Sequence, residues 1–203
     1  YKAVTECCPA GTQLRIEHSI SRGLYCRLIG DVNITLELAD QLRNKMDELV
    51  KRNIPFERKE RLTSDVIKIF EQQGLNDKVQ LLKTTHDLYT VYYRLDGVCD
   101  SYYGNLAPST GMLATFDLMP YQEGFLLLGP DPQNDNRAVR PINQEKMYTA
   151  FTDYVMFNHI IGIKNVGELN DAVAQGNAAM LINVAEALHD KKIGRISDEI
   201  LHR

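Results

Sequence analysis

The stretch from Asp96 to Gly111, DGVCDSYYGNLAPSTG, constrains this chain more than any other. An Asp-Gly pair stands between two runs rich in β-branched and aromatic residues, LYTVYYRL and VCDSYY. Both central residues of a two-residue hairpin turn take positive φ, which Asp and Gly tolerate, so the pair predicts an antiparallel hairpin. The stretch then passes into Gly, Pro, Ser and Thr. These cannot extend a strand and predict a shaped loop. A pocket in this protein would use that loop as one wall.

The hairpin lies between a mixed front half and a helical back half. Residues 1–13 read as a short helix and a Pro-Ala-Gly turn, and LRIEHSISRGLYCRLI as two short strands around Ser21, Arg22 and Gly23. Leu38, Ala39, Leu42, Met46, Leu49 and Val50 recur at spacings of three and four, which predicts a helix over about 35–52 capped by Asn33 or Thr35. FERKERL reads as an exposed strand or link. Val66, Ile67 and Phe70 predict a second helix over about 63–73, capped by Thr63 or Ser64 and stopped by Gly74. VQLLK, LYTVYYRL, VCDSYY, MLATFDLM and GFLLLGP have strand composition, and the tyrosines among them suit cross-strand pairing. GPDPQNDNRAVRP, with three prolines, is a boundary loop. Beyond it Asn143 caps a helix, 168–175 is a short helix, and Asn177 caps a long one. Leu181, Val184, Ala185, Leu188, Lys192, Ile196 and Ile200 form one stripe of that last helix. The expected architecture is α+β: an antiparallel sheet with helices on one face over residues 1–130, then a helical linker region over 131–203.

Composition removes several function classes. The formal net charge is −4, no nucleic-acid footprint. Lys51, Arg52, Arg58, Lys59 and Arg61 are interleaved with Glu57 and Glu60 and read as a solvated face. No apolar run approaches the ~18 residues of a membrane span. There is no GxxxxGK[ST] phosphate loop, no CxxC and no HxxxH among the five histidines. The four cysteines, Cys7, Cys8, Cys26 and Cys99, suit reduced thiols in a cytoplasmic protein. Cys99 with His18 or His86 has the residue types of a nucleophile pair, and Ser109 or Thr110 those of a hydroxyl nucleophile, but spacing identifies no base. The chain opens at Tyr1 and stops at LHR within a helical pattern, which suggests a piece of a longer polypeptide.

From about Arg15 to Gly129 the chain resembles the second additional, editing-type domain of threonyl- and alanyl-tRNA synthetases. That family carries a strand-turn-strand of the form I-G-P-x-I-x-x-G-F-Y-Y-D-F, a helix, then an apolar-Pro-Phe/Ile-E-R link. The corresponding pieces are IEHSISRGLYCRL, TLELADQLRNKMDELV and KRNIPFERKE. A later family strand ends V-D-L-C-x-G-P-H-V-P-S-T-G, and VCDSYYGNLAPSTG corresponds. The family's cysteine falls on Tyr102 and its histidine on Leu106; its HxxxH would lie ahead of Tyr1. Leucine cannot ligate a metal or shuttle a proton, and a phenol is a poor substitute for a thiolate. The resemblance therefore implies the pocket without its metal or editing chemistry.

The back half, INQEKMYTAFTDYVMFNHIIGIKNVGELNDAVAQG and LINVAEALHDKKIGRISDEI, resembles the linker of large bacterial nucleoside (uridine) kinases. There, a synthetase-like domain precedes a P-loop kinase. The resemblance implies a non-catalytic regulatory or ligand-binding module of a uridine or nucleoside kinase, with its own C-terminal kinase domain as partner. ATP and Mg belong to that absent domain, with no cofactor or metal in this chain. The alternative is an editing-like hydrolase or tRNA-binding domain. His18, Tyr102, Ser109 and Thr110 are expected to line a cleft for a small-molecule ligand, with no catalytic residue. Nucleic acid and membrane are not expected partners, and a homo-oligomer is compatible with the apolar stripe of the last helix.

Overall fold

A computed structural model describes residues 1–202, the side chain of Asp135 excepted. The fold is α+β with antiparallel sheets and a helical C-terminal region. A short helix α1 (Lys2–Cys7) leads into the hairpin β1 (Gln13–Ile20) and β2 (Gly23–Ile29). Helix α2 (Leu36–Lys51) follows, then β3 (Glu57–Leu62) and the helices α3 (Thr63–Gln72) and α4 (Asn76–Thr84). The predicted hairpin forms as β4 (Tyr89–Leu95) and β5 (Val98–Asp100). Strands β6 (Asp117–Tyr121), β7 (Gly124–Leu128), β8 (Pro130–Asp131) and β9 (Asn134–Ala138) precede the helices α5 (Glu145–Ile161), α6 (Val166–Ala174) and α7 (Ala178–Leu201).

The strands sort into a four-stranded sheet of order β1-β2-β7-β6, a three-stranded sheet β3-β4-β5 and the pair β8-β9, antiparallel at every pairing. One continuous sheet was expected. β2 is covered on both faces: Cys26 packs with Ala3, Val4, Leu42 and Phe125 beneath α1 and α2, while Tyr25 packs with Ile20, Leu126 and Leu128 toward α5. The β3-β4-β5 sheet has a separate core, in which Tyr92 and Cys99 meet Val66 and Phe70 of α3 and Val79 of α4. Each fully buried leucine or phenylalanine in these cores contributes about 2 kcal/mol.

Local chemistry explains where elements begin and end. Thr35 is the cap of α2, its hydroxyl accepting from the Leu38 amide at 3.1 Å. Asn53, just beyond the C-terminal end, takes the left-handed conformation, φ 50°, that closes a helix. Thr63 does not cap α3. Its hydroxyl bonds instead to the Asp87 carbonyl and the Thr90 hydroxyl, which ties the helix to the start of β4. VQLLK, expected as a strand, is the body of α4. Leu75, Val79 and Leu82 are spaced by four and three and pack together with Phe70, a helical period that a five-residue window does not show. MLATFDLM is strand only from Asp117, in β6; Met112 ends a turn of 3-10 helix (Thr110–Met112) and 113–116 are loop.

The back helices join the front at two seams. Gly167 of α6 lies so close to α4 that a Cβ there would stand 2.9 Å from the Leu81 nitrogen, and Gln80 donates to Asp171 across the contact at 2.7 Å. Phe151 and Tyr148 of α5 rest on the four-stranded sheet. The stripe of α7 is not buried: α7 buries no residue, and its Ile196 and Ile200 are exposed. Its Lys192 pairs with Asp153 of α5 at 2.9 Å. Among the described residues no helix is long and apolar enough to cross a membrane.

Candidate functional site

The Asp-Gly turn forms as the sequence predicts. Asp96 and Gly97 have φ of 46° and 87°, and Leu95 pairs with Val98. Lys2 donates to the Asp96 carbonyl at 2.8 Å and Arg52 to its carboxylate at 2.8 Å, so α1 and α2 both hold the turn. Strand period then decides which side chains look inward. Tyr93 stands opposite Asp100 in the register, so both occupy one face. Tyr93, Leu95, Val98, Asp100 and Tyr102 all line a cavity of about 210 Å³. Tyr1, Leu49, Phe56, Leu106, Thr110 and Phe116 complete much of its wall.

The walls are mostly apolar; Lys2, bonded to the Asp96 carbonyl, also lines them, and a second ionic group is built at Asp100. Lys78 of α4 pairs with the Asp100 carboxylate and donates to the Ser101 carbonyl at 2.7 Å. The same Asp100 oxygen accepts from the Ser101 amide at 2.8 Å. The Lys78 ammonium also lies over the Tyr102 ring, 5.2 Å from its centre. Burial, reinforced by Asp100, holds the Tyr102 phenol well above its ordinary range, so it is a hydrogen-bond donor at neutral pH. Among the described residues no three His, Cys, Asp or Glu side chains converge as metal ligands.

The four residues read from the sequence do not share this cavity. Tyr102 and Thr110 line it. The Thr110 hydroxyl is already used: it donates to the Leu49 carbonyl at 2.6 Å and accepts from the Ile54 amide at 2.8 Å. Ser109 lines neither large cavity and donates to the Asn53 side chain at 2.5 Å. The loop is thus stitched to the end of α2, with Phe56 donating to the Pro108 carbonyl and Thr110 to the Ile54 carbonyl. Gly111 is needed here because a Cβ would overlap the Asn53 side chain. His18 is elsewhere, on β1, stacked on Phe151 of α5 at 4.0 Å with its Nε2 buried and unpartnered.

Sequence reasoning missed Asp100 and Lys78. Asp100 carried a signal, since a two-residue Asp96-Gly97 turn sets it opposite Tyr93 in the hairpin register. Lys78 carried none, because VQLLK was read as a strand and only the helix aims Lys78 across to β5.

No protein-family model matches the chain. Threonine–tRNA ligases are similar to it. That of Clostridium kluyveri is 31% identical over 108 residues, 53% of this chain and 17% of the ligase. That of Granulibacter bethesdensis is 35% identical over 111 residues, 54% of this chain and 17% of the ligase. That of Citrifermentans bemidjiense is 30% identical over 142 residues, 70% of this chain and 21% of the ligase. The chain thus spans about a fifth of the length of the curated relatives it matches.

Proposed function

We propose that this chain is an editing-type domain that binds an aminoacyl group and does not cleave it by thiol or histidine chemistry. Of the two readings open from sequence, the synthetase-related one is supported by the similarity to threonine–tRNA ligases. The observation that carries it is Asp100, an ionic group at one end of an apolar cavity of about 210 Å³. That volume lies below the usual range for drug-sized ligands and suits one amino-acid moiety. Asp100 receives the α-ammonium of the ligand, and Lys78 holds the carboxylate in place. Tyr102 donates to a ligand oxygen. Phe56, Val98 and Phe116 limit the size of the side chain. Tyr102 and Leu106 stand where the related motif has cysteine and histidine, so the cavity recognises without supplying that nucleophile or base.

In this reading residues 1–130 form the synthetase-like domain and 131–203 the connector, whose last residue lies outside the described ones. A kinase beyond that connector rests on the pattern of residues 142–200 alone and remains a proposal of context. Titration calorimetry with L-threonine amide, L-serine amide and uridine tests the site. The amides are expected to bind, and Asp100→Asn to weaken them at least about tenfold through loss of a charge-assisted contact. Equal binding by wild type and Asp100→Asn, or none by either, would refute the aminoacyl reading. Binding of uridine alone would favour the kinase-module reading. Release of amino acid from mischarged tRNA would overturn the absence of hydrolysis.

A further inference from the structure

A second and larger cavity, about 880 Å³, lies beside the first. Met46, Leu113 and Phe116 line both and form the partition. Its remaining walls come from the β1–β2 turn, the loop after the 3-10 turn, the end of β7 and the residue preceding α5. They are mostly apolar, with Ile20, Leu24, Met112, Leu127 and Pro130 among them. The volume is within the range of small-molecule sites.

The turn at its rim is costly to build. Ser21 and Arg22 have φ of 53° and 66°, a turn in which Asn-Gly is the favoured pair. Two consecutive non-glycine residues are held in the left-handed region, which side chains other than Gly and Asn adopt at a cost. The surroundings enforce it. Ser21 is fully buried, and its amide donates to the Gln144 side chain at 2.8 Å. The result places Arg22 on the cavity, and Arg22 has no hydrogen bond or ion pair among the described residues. Gln144 accepts from Ser21 through Oε1, and its amide NH₂ group is a further donor on the same wall.

An apolar cavity of this size with an unpaired guanidinium at its rim matches one ligand class. We propose that it is a second ligand site, for a small molecule with an apolar body of about ten carbons and a single carboxylate. The chain packs along Leu24, Met112 and Leu127. The carboxylate takes the guanidinium fork of Arg22, the geometry that planar group recognises best. Neither Asp100 nor Lys78 lines this cavity, so the site does not depend on the aminoacyl reading.

The probe is decanoate, with 1-decanol as its uncharged match, titrated against the full chain with amide chemical shifts followed by NMR. Arg22→Asn removes the cation and keeps the turn, since Asn adopts the left-handed region readily. Ala114→Trp adds bulk at an exposed position of the lining loop without entering the core. Saturable decanoate binding is expected, about tenfold weaker in Arg22→Asn and lost in Ala114→Trp, with decanol indifferent to Arg22→Asn. Shifts should centre on residues 19–24 and 112–116, and Asp100→Asn should bind as wild type. Absence of saturable binding, equal affinity of wild type and Arg22→Asn, or loss of binding in Asp100→Asn would each overturn the proposal.

Discussion

Replacing Thr110 by valine isolates a single oxygen. The side chain is 3% exposed, and its hydroxyl joins the last turn of α2, through the Leu49 carbonyl at 2.6 Å, to the link after it, through the Ile54 amide at 2.8 Å. Valine keeps the shape and leaves both backbone groups without that partner. Each buried unsatisfied group costs about 1–3 kcal/mol, so Thr110→Val should lose about 2–6 kcal/mol. For a chain of this length that is on the order of 10 °C in Tm. Thr110→Ser keeps the oxygen and deletes one methyl, a loss of about 1 kcal/mol. Urea unfolding followed by circular dichroism measures both. A Thr110→Val loss below about 0.5 kcal/mol, or serine as damaging as valine, would refute the assignment of this hydroxyl to loop closure. Binding lost in Thr110→Val at unchanged stability would instead place the hydroxyl on a ligand.

The seam at His18 should be acid-sensitive. Burial lowers the His18 pKa below the ordinary 6.5, with Glu17 opposing, so the folded state prefers neutral imidazole. Its contribution is complete above about pH 6.5 and is lost as pH falls below that value. Urea midpoints from pH 7.5 to 5 should therefore decline, and His18→Phe should flatten the decline; an unchanged slope would contradict the burial of Nε2. Burial pushes the Cys26 thiol up to about 11. At pH 8 iodoacetamide should spare Cys26 and the buried Cys99 in native protein and label all four cysteines in urea, as read by mass spectrometry. Gly124 has no room for a side chain, since a Cβ would overlap the Cys26 carbonyl on β2. Gly124→Ala should cost about 3 kcal/mol or more, and a fully stable variant would show that the β2–β7 pairing tolerates displacement.

The sequence by itself determined the elements whose signals are local. Asp96-Gly97 fixed a hairpin turn because φ preference belongs to those two residues. The apolar spacing of residues 38–50 fixed α2, since the helical period is carried by the chain alone. The helical back half was legible for the same reason. The resemblance over residues 15–129 agrees with the similarity to threonine–tRNA ligases. What the tertiary structure decided was every property that depends on who faces whom. VQLLK became a helix because Val79 and Leu82 found the α3 core, where packing outweighs a short strand-like run. The strands divided into two main sheets, each on its own core: β2 and β7 pack under α1, α2 and α5, and β4 and β5 pack on α3 and α4. Ser109 and Thr110 turned inward to bond the end of α2, since a loop that buries backbone must satisfy it, and sequence cannot say with what. Lys78 and Asp100, twenty-two positions apart in sequence (100 − 78), meet only because α4 packs behind β5. The ionic end of the cavity is therefore a product of packing, and no spacing rule in the chain encodes it.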